Sequence, residues 1–142
     1  MAVIDGVAGL TVQVVAGGQP ATEYDDPDAD DAENDTKAGS VSKYIEVQGD
    51  TDFYILGSLS TEFAYLTHDI NFSTSIDGGV VDGLLLSQKK AVNGYYTSFK
   101  VSAARFSKNG QWFEKSFKFA KLNVGTFLYT HDTVIFFNAV CS

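Results

Sequence analysis

Eight carboxylates lie between Glu23 and Asp35 with no basic residue among them: Glu23, Asp25, Asp26, Asp28, Asp30, Asp31, Glu33 and Asp35. Such a run suits two chemistries, a divalent cation or a basic macromolecular partner. An EF-hand loop needs Gly at its sixth position and Glu at its twelfth. Counted from Asp26, those positions hold Asp31 and Lys37, so that loop is excluded. Carboxylates on an unstructured connection would hold a divalent cation only weakly. A basic surface is the better match, because the run sustains a field over a Debye length of about 8–10 Å. Simple solvation of a sandwich edge is the plain alternative, since like-charge blocks often serve only to keep a surface wet.

The histidines repeat one tripeptide, Thr67-His68-Asp69 and Thr130-His131-Asp132. A metal site or an acid–base pair would need each His to converge with an acid. Neighbouring strand residues point to opposite faces, which sets His and Asp apart. Turn chemistry at the start of a strand accounts for Asp69 and Asp132 more simply. Cys141 has no neighbouring base and sits one residue from the end, where a frayed terminus is expected, and its stronger reading is a small apolar residue that ends a strand. No Gly-x-Ser-x-Gly elbow occurs. Gly17-Gly18 and Gly78-Gly79 read as turns, because no helix start follows to cradle phosphate. The sequence therefore offers no catalytic set and no cofactor site. A second candidate site is aromatic: Tyr95 and Tyr96 beside Asn93, and Trp112 beside Asn109 and Gln111, would form a sugar-stacking platform if exposed. Core or edge packing is the competing role for Trp112.

These residues must be positioned by strands. Leu10 to Val15 alternates into Gly17-Gly18-Gln19-Pro20 and predicts a first strand. Residues 21–41 predict a long acidic loop after it, unusually long for a compact domain. Ser42–Val47 and Asp52–Leu56 predict the next two strands. Ile70, Phe72, Thr74 and Ile76 alternate into Asp77-Gly78, a strong hairpin signal, and Val80–Leu86 returns. Tyr95–Val101 predicts a further strand. Asn109-Gly110 marks a second hairpin, after which Phe113, Lys115, Phe117 and Phe119 fall on alternate positions. Thr126–Tyr129 and Thr133–Val140 supply the end. Eight or nine short strands at this spacing predict a single antiparallel β-sandwich over residues 1–142, jelly-roll-like in its connections.

Length agrees with one domain, since 142 residues bury about two thirds of their unfolded surface. One cysteine allows no internal disulfide and suits a reducing compartment, cytoplasmic or nuclear. The first residues lack the basic start of a signal peptide, and no apolar run is long enough to cross a bilayer. Charge is split along the chain. Residues 1–82 carry sixteen acids against Lys37 and Lys43, whereas residues 83–142 carry eight bases against Glu114 and Asp132. The formal charges are thus −14 and +6. A net charge of −8 with dispersed bases disfavours nucleic acid.

An ordered set of short stretches resembles a fungal family that shares a β-rich domain of unknown function. The set is Glu23-Tyr24 before the acids, Lys43-Tyr44-Ile45-Glu46-Val47, Asp77-Gly78, Lys108-Asn109-Gly110-Gln111-Trp112, and Phe117-Lys118-Phe119-Ala120. It covers roughly residues 8–122. The resemblance implies fold and origin and carries over no catalytic residues. The expectation is a non-catalytic intracellular module for protein interaction or self-assembly, with the eight acids contacting a basic surface. That surface belongs to a partner or to Lys100, Lys115, Lys118 and Lys121 of a second copy. A lectin-like module using Tyr95, Tyr96 or Trp112 is the alternative.

Overall fold

The computed structural model describes residues 2–3, 7–26, 41–63, 69–87, 89, 98–121 and 137–141. Within them the chain forms twelve strands, all antiparallel where they pair. The chain is all-β and sandwich-like. Its first large sheet runs in the order β1 (Ala2–Val3), β2 (Leu10–Ala16), β6 (Phe53–Leu59), β9 (Ser98–Val101), with β3 (Gln19–Pro20) also on β2. The second has the order β12 (Phe137–Cys141), β7 (Ile70–Ile76), β8 (Gly79–Leu86). Two further pairs stand apart: β4 (Thr22–Asp25) with β5 (Lys43–Glu46), and β10 (Ala103–Lys108) with β11 (Gln111–Ser116).

Alternation in the sequence explains the core. On β6, Phe53, Ile55, Gly57 and Leu59 are buried while the residues between them are half-exposed. Leu10, Val12 and Val14 of β2 join them, as do Ile70 and Phe72 of β7, so both large sheets feed one cluster. Phe72 of β7 meets Phe99 of β9 with ring centroids 4.7 Å apart, which ties the second sheet to the first. The two predicted hairpin dipeptides hold the left-handed backbone a tight primed turn requires. Asp77 and Gly78 have φ of 51° and 78°, and Asn109 and Gly110 have 53° and 76°.

Three sequence expectations change. The acidic connection does not start at residue 21, because Thr22–Asp25 is strand β4, paired in register with β5. Glu23 and Asp25 therefore sit on a ladder, and the remaining acids fall inside the β4–β5 connection. Isolated short strands such as β3 and β4 lack the apolar alternation by which a strand is read, which also raises the strand number above eight or nine. Secondly, Phe113, Lys115, Phe117 and Phe119 do not share one environment. Strand β11 ends at Ser116, with Phe113 exposed, and the chain then turns inward. Phe117 N–H donates to the Ser102 carbonyl, and Phe119 N–H donates to that of Thr51. These bonds seat Phe117 and Phe119 against Phe53, at centroid distances of 5.4 and 4.1 Å. Thirdly, Cys141 is paired rather than frayed: it is the last residue of β12, opposite Ile70, which agrees with its reading as a residue that ends a strand.

Candidate functional site

The β10–β11 ribbon is the part of the described surface most at odds with simple solvation. Asn109-Gly110 closes it, and six cross-strand pairs hold its register. Every residue of β11 is exposed, and among the described residues no third strand pairs with the ribbon. A lone two-stranded ribbon is marginally stable in water. Cross-strand pairs are what stabilise it. Phe106 stacks on Phe113 at 5.6 Å on one face. Arg105 Nε donates to Glu114 Oε1 at 3.0 Å on the other. Ala104, near the base of the ribbon, packs against the core.

Those pairs give Phe106, Phe113, Arg105 and Glu114 a structural purpose. Trp112 has none of that kind. It stands opposite Ser107, is 77% exposed, and has no ring contact or hydrogen-bond partner among the described residues. Strand alternation puts it on the Arg105–Glu114 face, with Gln111 on the reverse. The amide-flanked sugar platform expected from sequence is thus divided, Gln111 lying behind the indole. Of the competing sequence reading of Trp112, core or edge packing, its exposure leaves out the core. Tyr95 and Tyr96 lie outside the described residues.

The charge around the ribbon is positive. Lys108, Lys115, Lys118 and Lys121 are exposed, and no carboxylate among the described residues pairs with them. Lys100 lies over the Tyr54 ring at 3.9 Å, a cation–π contact that pins β9 to β6. A shallow cleft of about 270 Å³ opens between the ribbon base and the β7–β8 turn, with Phe53, Ile76, Ala104, Asp77, Lys115 and Lys118 in its wall. Its polar groups form no nucleophile–base pair.

The acidic side is anchored by the β4–β5 ladder. Tyr24 Oη donates to Glu46 Oε2 at 2.9 Å, Ser42 Oγ donates to Asp26 Oδ2 at 2.9 Å, and Lys43 Nζ pairs with Asp25. The Tyr24 hydroxyl is held above its ordinary pKa, first because it donates to Glu46 and then because that carboxylate is negative. Lys43 is raised chiefly by its bond to Asp25. Tyr24 and Val41 are exposed beside these acids, at 50% and 41%. Glu23 is half-exposed on β4. Asp28, Asp30, Asp31, Glu33 and Asp35 lie outside the described residues, as do His68 and His131.

Among the described residues no group of His, Cys, Asp and Glu is arranged to hold a metal ion, and no helix is long and apolar enough to cross a membrane. The sequence reading placed the first candidate site on the acids and treated Trp112 as a sugar platform. It missed the Phe106–Phe113 pair, whose signal was present in their equal spacing from Asn109-Gly110. Compared with known proteins, residues 9–132 match a family model described as "Domain of unknown function (DUF7918)". No curated protein and no solved structure matches the chain.

Proposed function

The chain belongs to the DUF7918 family, a domain of unknown function, and from that premise we propose that it is a non-catalytic protein-interaction module whose contact surface is the β10–β11 ribbon. The observation that carries this is Trp112, fully formed on a registered ribbon yet 77% exposed and unpartnered among the described residues. Large aromatics at the centre of a contact supply much of its binding energy. Phe106 and Phe113 extend the apolar area on the reverse face, and both ribbon edges carry backbone groups able to pair with an added strand. Lysines around the ribbon favour an acidic partner. An intracellular setting, suggested by the single cysteine, and the fungal origin suggested by the ordered motifs belong to the same proposal.

A photo-crosslinking residue at position 112 tests it. Discrete protein adducts should form there in cells, and none at Gln19, an exposed position on β3. Absence of adducts at 112 would remove the ribbon as a protein contact. A carbohydrate-binding module is the second reading, supported by the same exposed indole. It requires signal on a glycan array that Trp112→Ala abolishes.

A further inference from the structure

We propose that the free edge of β11 pairs antiparallel with β11 of a second copy of this chain, centred on Phe113. The inference rests on the interaction reading above and names the ribbon's partner. A two-stranded ribbon needs a third strand or a covering element to be stable in water. Strand β10 lies beside β8, and its Ala104 meets the core. Strand β11 has no second neighbour among the described residues and is exposed along its whole length. Its outer backbone groups are an open template for another strand. The turn decides which residues supply them. Asn109-Gly110 is a two-residue primed turn, so Lys108 and Gln111 form the first hydrogen-bonded pair. Bonded and non-bonded pairs alternate from there. Phe113 and Lys115 therefore bond to β10, while Trp112 and Glu114 aim N–H and C=O at the free edge.

Those outward groups fix the register of a two-fold pair. Trp112 faces Glu114 of the second copy as a hydrogen-bonded pair, and Glu114 faces the second copy's Trp112. Between them Phe113 meets its own counterpart as a non-bonded pair, with Cα atoms about 4.5 Å apart. The contact is isologous and closes at two chains. Trp112 and the two phenylalanines lie on opposite faces of the ribbon, and edge pairing engages both faces at once. On one face the Phe106–Phe113 stack becomes a row of four rings across four strands. On the other, the Trp112 indole N–H, without an acceptor among the described residues, gains the Glu114 carboxylate alongside.

Charge complementarity selects this register. The two Lys115 side chains stand four residues apart along the pair, about 13 Å, beyond a Debye length of about 8 Å. Gln111 separates Lys108 from Lys115 of the second copy. Sliding by two residues one way sets Glu114 against Glu114, a like-charge pair. Sliding the other way sets Phe113 against Gln111 and runs Glu114 into the turn. A one-residue slip would bring opposite faces together.

Light scattering on the full chain gives the first test. The mass should rise with concentration from 15.4 kDa to twice that value and go no higher. The dimer should persist at about 1 M salt, where exposed charges are screened, because backbone bonds and aromatic rings hold the edges. A chain that stays monomeric up to about 1 mM, the weak end of specific association, overturns the proposal. So does an assembly that high salt dissolves. Cysteines read the register at a concentration where wild type is dimeric. In a Cys141→Ser background, Phe113→Cys should form an interchain disulfide under a mild oxidant, since a non-bonded pair lies within disulfide reach. Lys115→Cys, on the same strand and face, should stay uncrosslinked under that oxidant. Circular dichroism checks that both variants fold like their parent. Equal crosslinking at 113 and 115, or none at 113 beside a dimeric wild type, overturns the pairing centred on Phe113. Adducts at position 112 with some other protein, beside a monomeric wild type, would overturn the second copy alone and leave the ribbon as a contact surface.

Discussion

At Gly57 the chain has no room for a side chain, because Phe99, its cross-strand partner, lies over it. A Cβ there would sit 2.0 Å from Phe99 Cζ, and the ring is backed by Phe72. Gly57→Ala should therefore destabilise by about 1–3 kcal/mol, the usual range for overpacking. Adding Phe99→Ala should cost less than the sum of the two single changes, because the clash goes with the ring. Urea denaturation of the four proteins in that cycle reads the coupling directly. The same assay separates contact aromatics from core aromatics. Trp112→Ala should shift stability by no more than about 0.5 kcal/mol, as exposed substitutions do. Phe119→Ala, which removes a ring only 4% exposed and stacked on Phe53, should cost about 3–5 kcal/mol. Equal losses at the two positions would show that Trp112 is a packing residue after all.

The β4–β5 ladder brings acidic residues onto a fixed element through bonds that depend on protonation. Tyr24 and Lys43 are both raised above their ordinary values of 10.0 and 10.5. A raised folded-state pKa means the contact's stabilisation is complete below the ordinary value and is lost as pH climbs through the raised one. The ladder should thus be indifferent to pH near neutrality and weaken in the alkaline range, above about pH 10. Tyr24→Phe should remove the tyrosine part of that alkaline step and leave the neutral-pH fold intact. Tyrosine absorbance during alkaline titration would follow the hydroxyl. Backbone amide exchange on β4 and β5 would follow the ladder. Titration of Tyr24 at or below 10.0 would show that the Glu46 bond is absent in solution.

For the molecule as a whole, charge is concentrated rather than spread. The first 82 residues hold −14 and the remainder +6. Neutralising Asp28, Asp30, Asp31, Glu33 and Asp35 removes five charges and takes the net from −8 to −3. Relief of self-repulsion should then raise the melting temperature at low salt, with the gain disappearing as salt screens the wild-type chain. A lower melting temperature at low salt would mean that those acids make stabilising contacts in the fold. Surface ion pairs are poor substitutes for this measurement. The exposed Arg105–Glu114 pair is worth about 0–1 kcal/mol and mainly sets ribbon register.

Alternation and turn chemistry made much of the fold legible from residues alone. Ile70–Ile76, Asp77-Gly78 and the strand that returns were readable because burial of one face imposes a period of two and a primed turn demands left-handed residues. The charge division was readable too, because it is a property of order along the chain. Strand β4 was not legible, since Thr22–Asp25 has no buried face and exists only because β5 pairs with it. Nor was the divergence of Phe113 from Phe117 and Phe119, three aromatics at the same parity. Backbone bonds to Ser102 and Thr51 pull the later two inward, and those partners are distant in sequence. Sequence determined which residues were apolar, acidic or basic and where the chain turned. Tertiary structure decided which of them face water, because exposure depends on what the rest of the chain brings alongside, and among the described residues it brought no ring contact or hydrogen bond to Trp112.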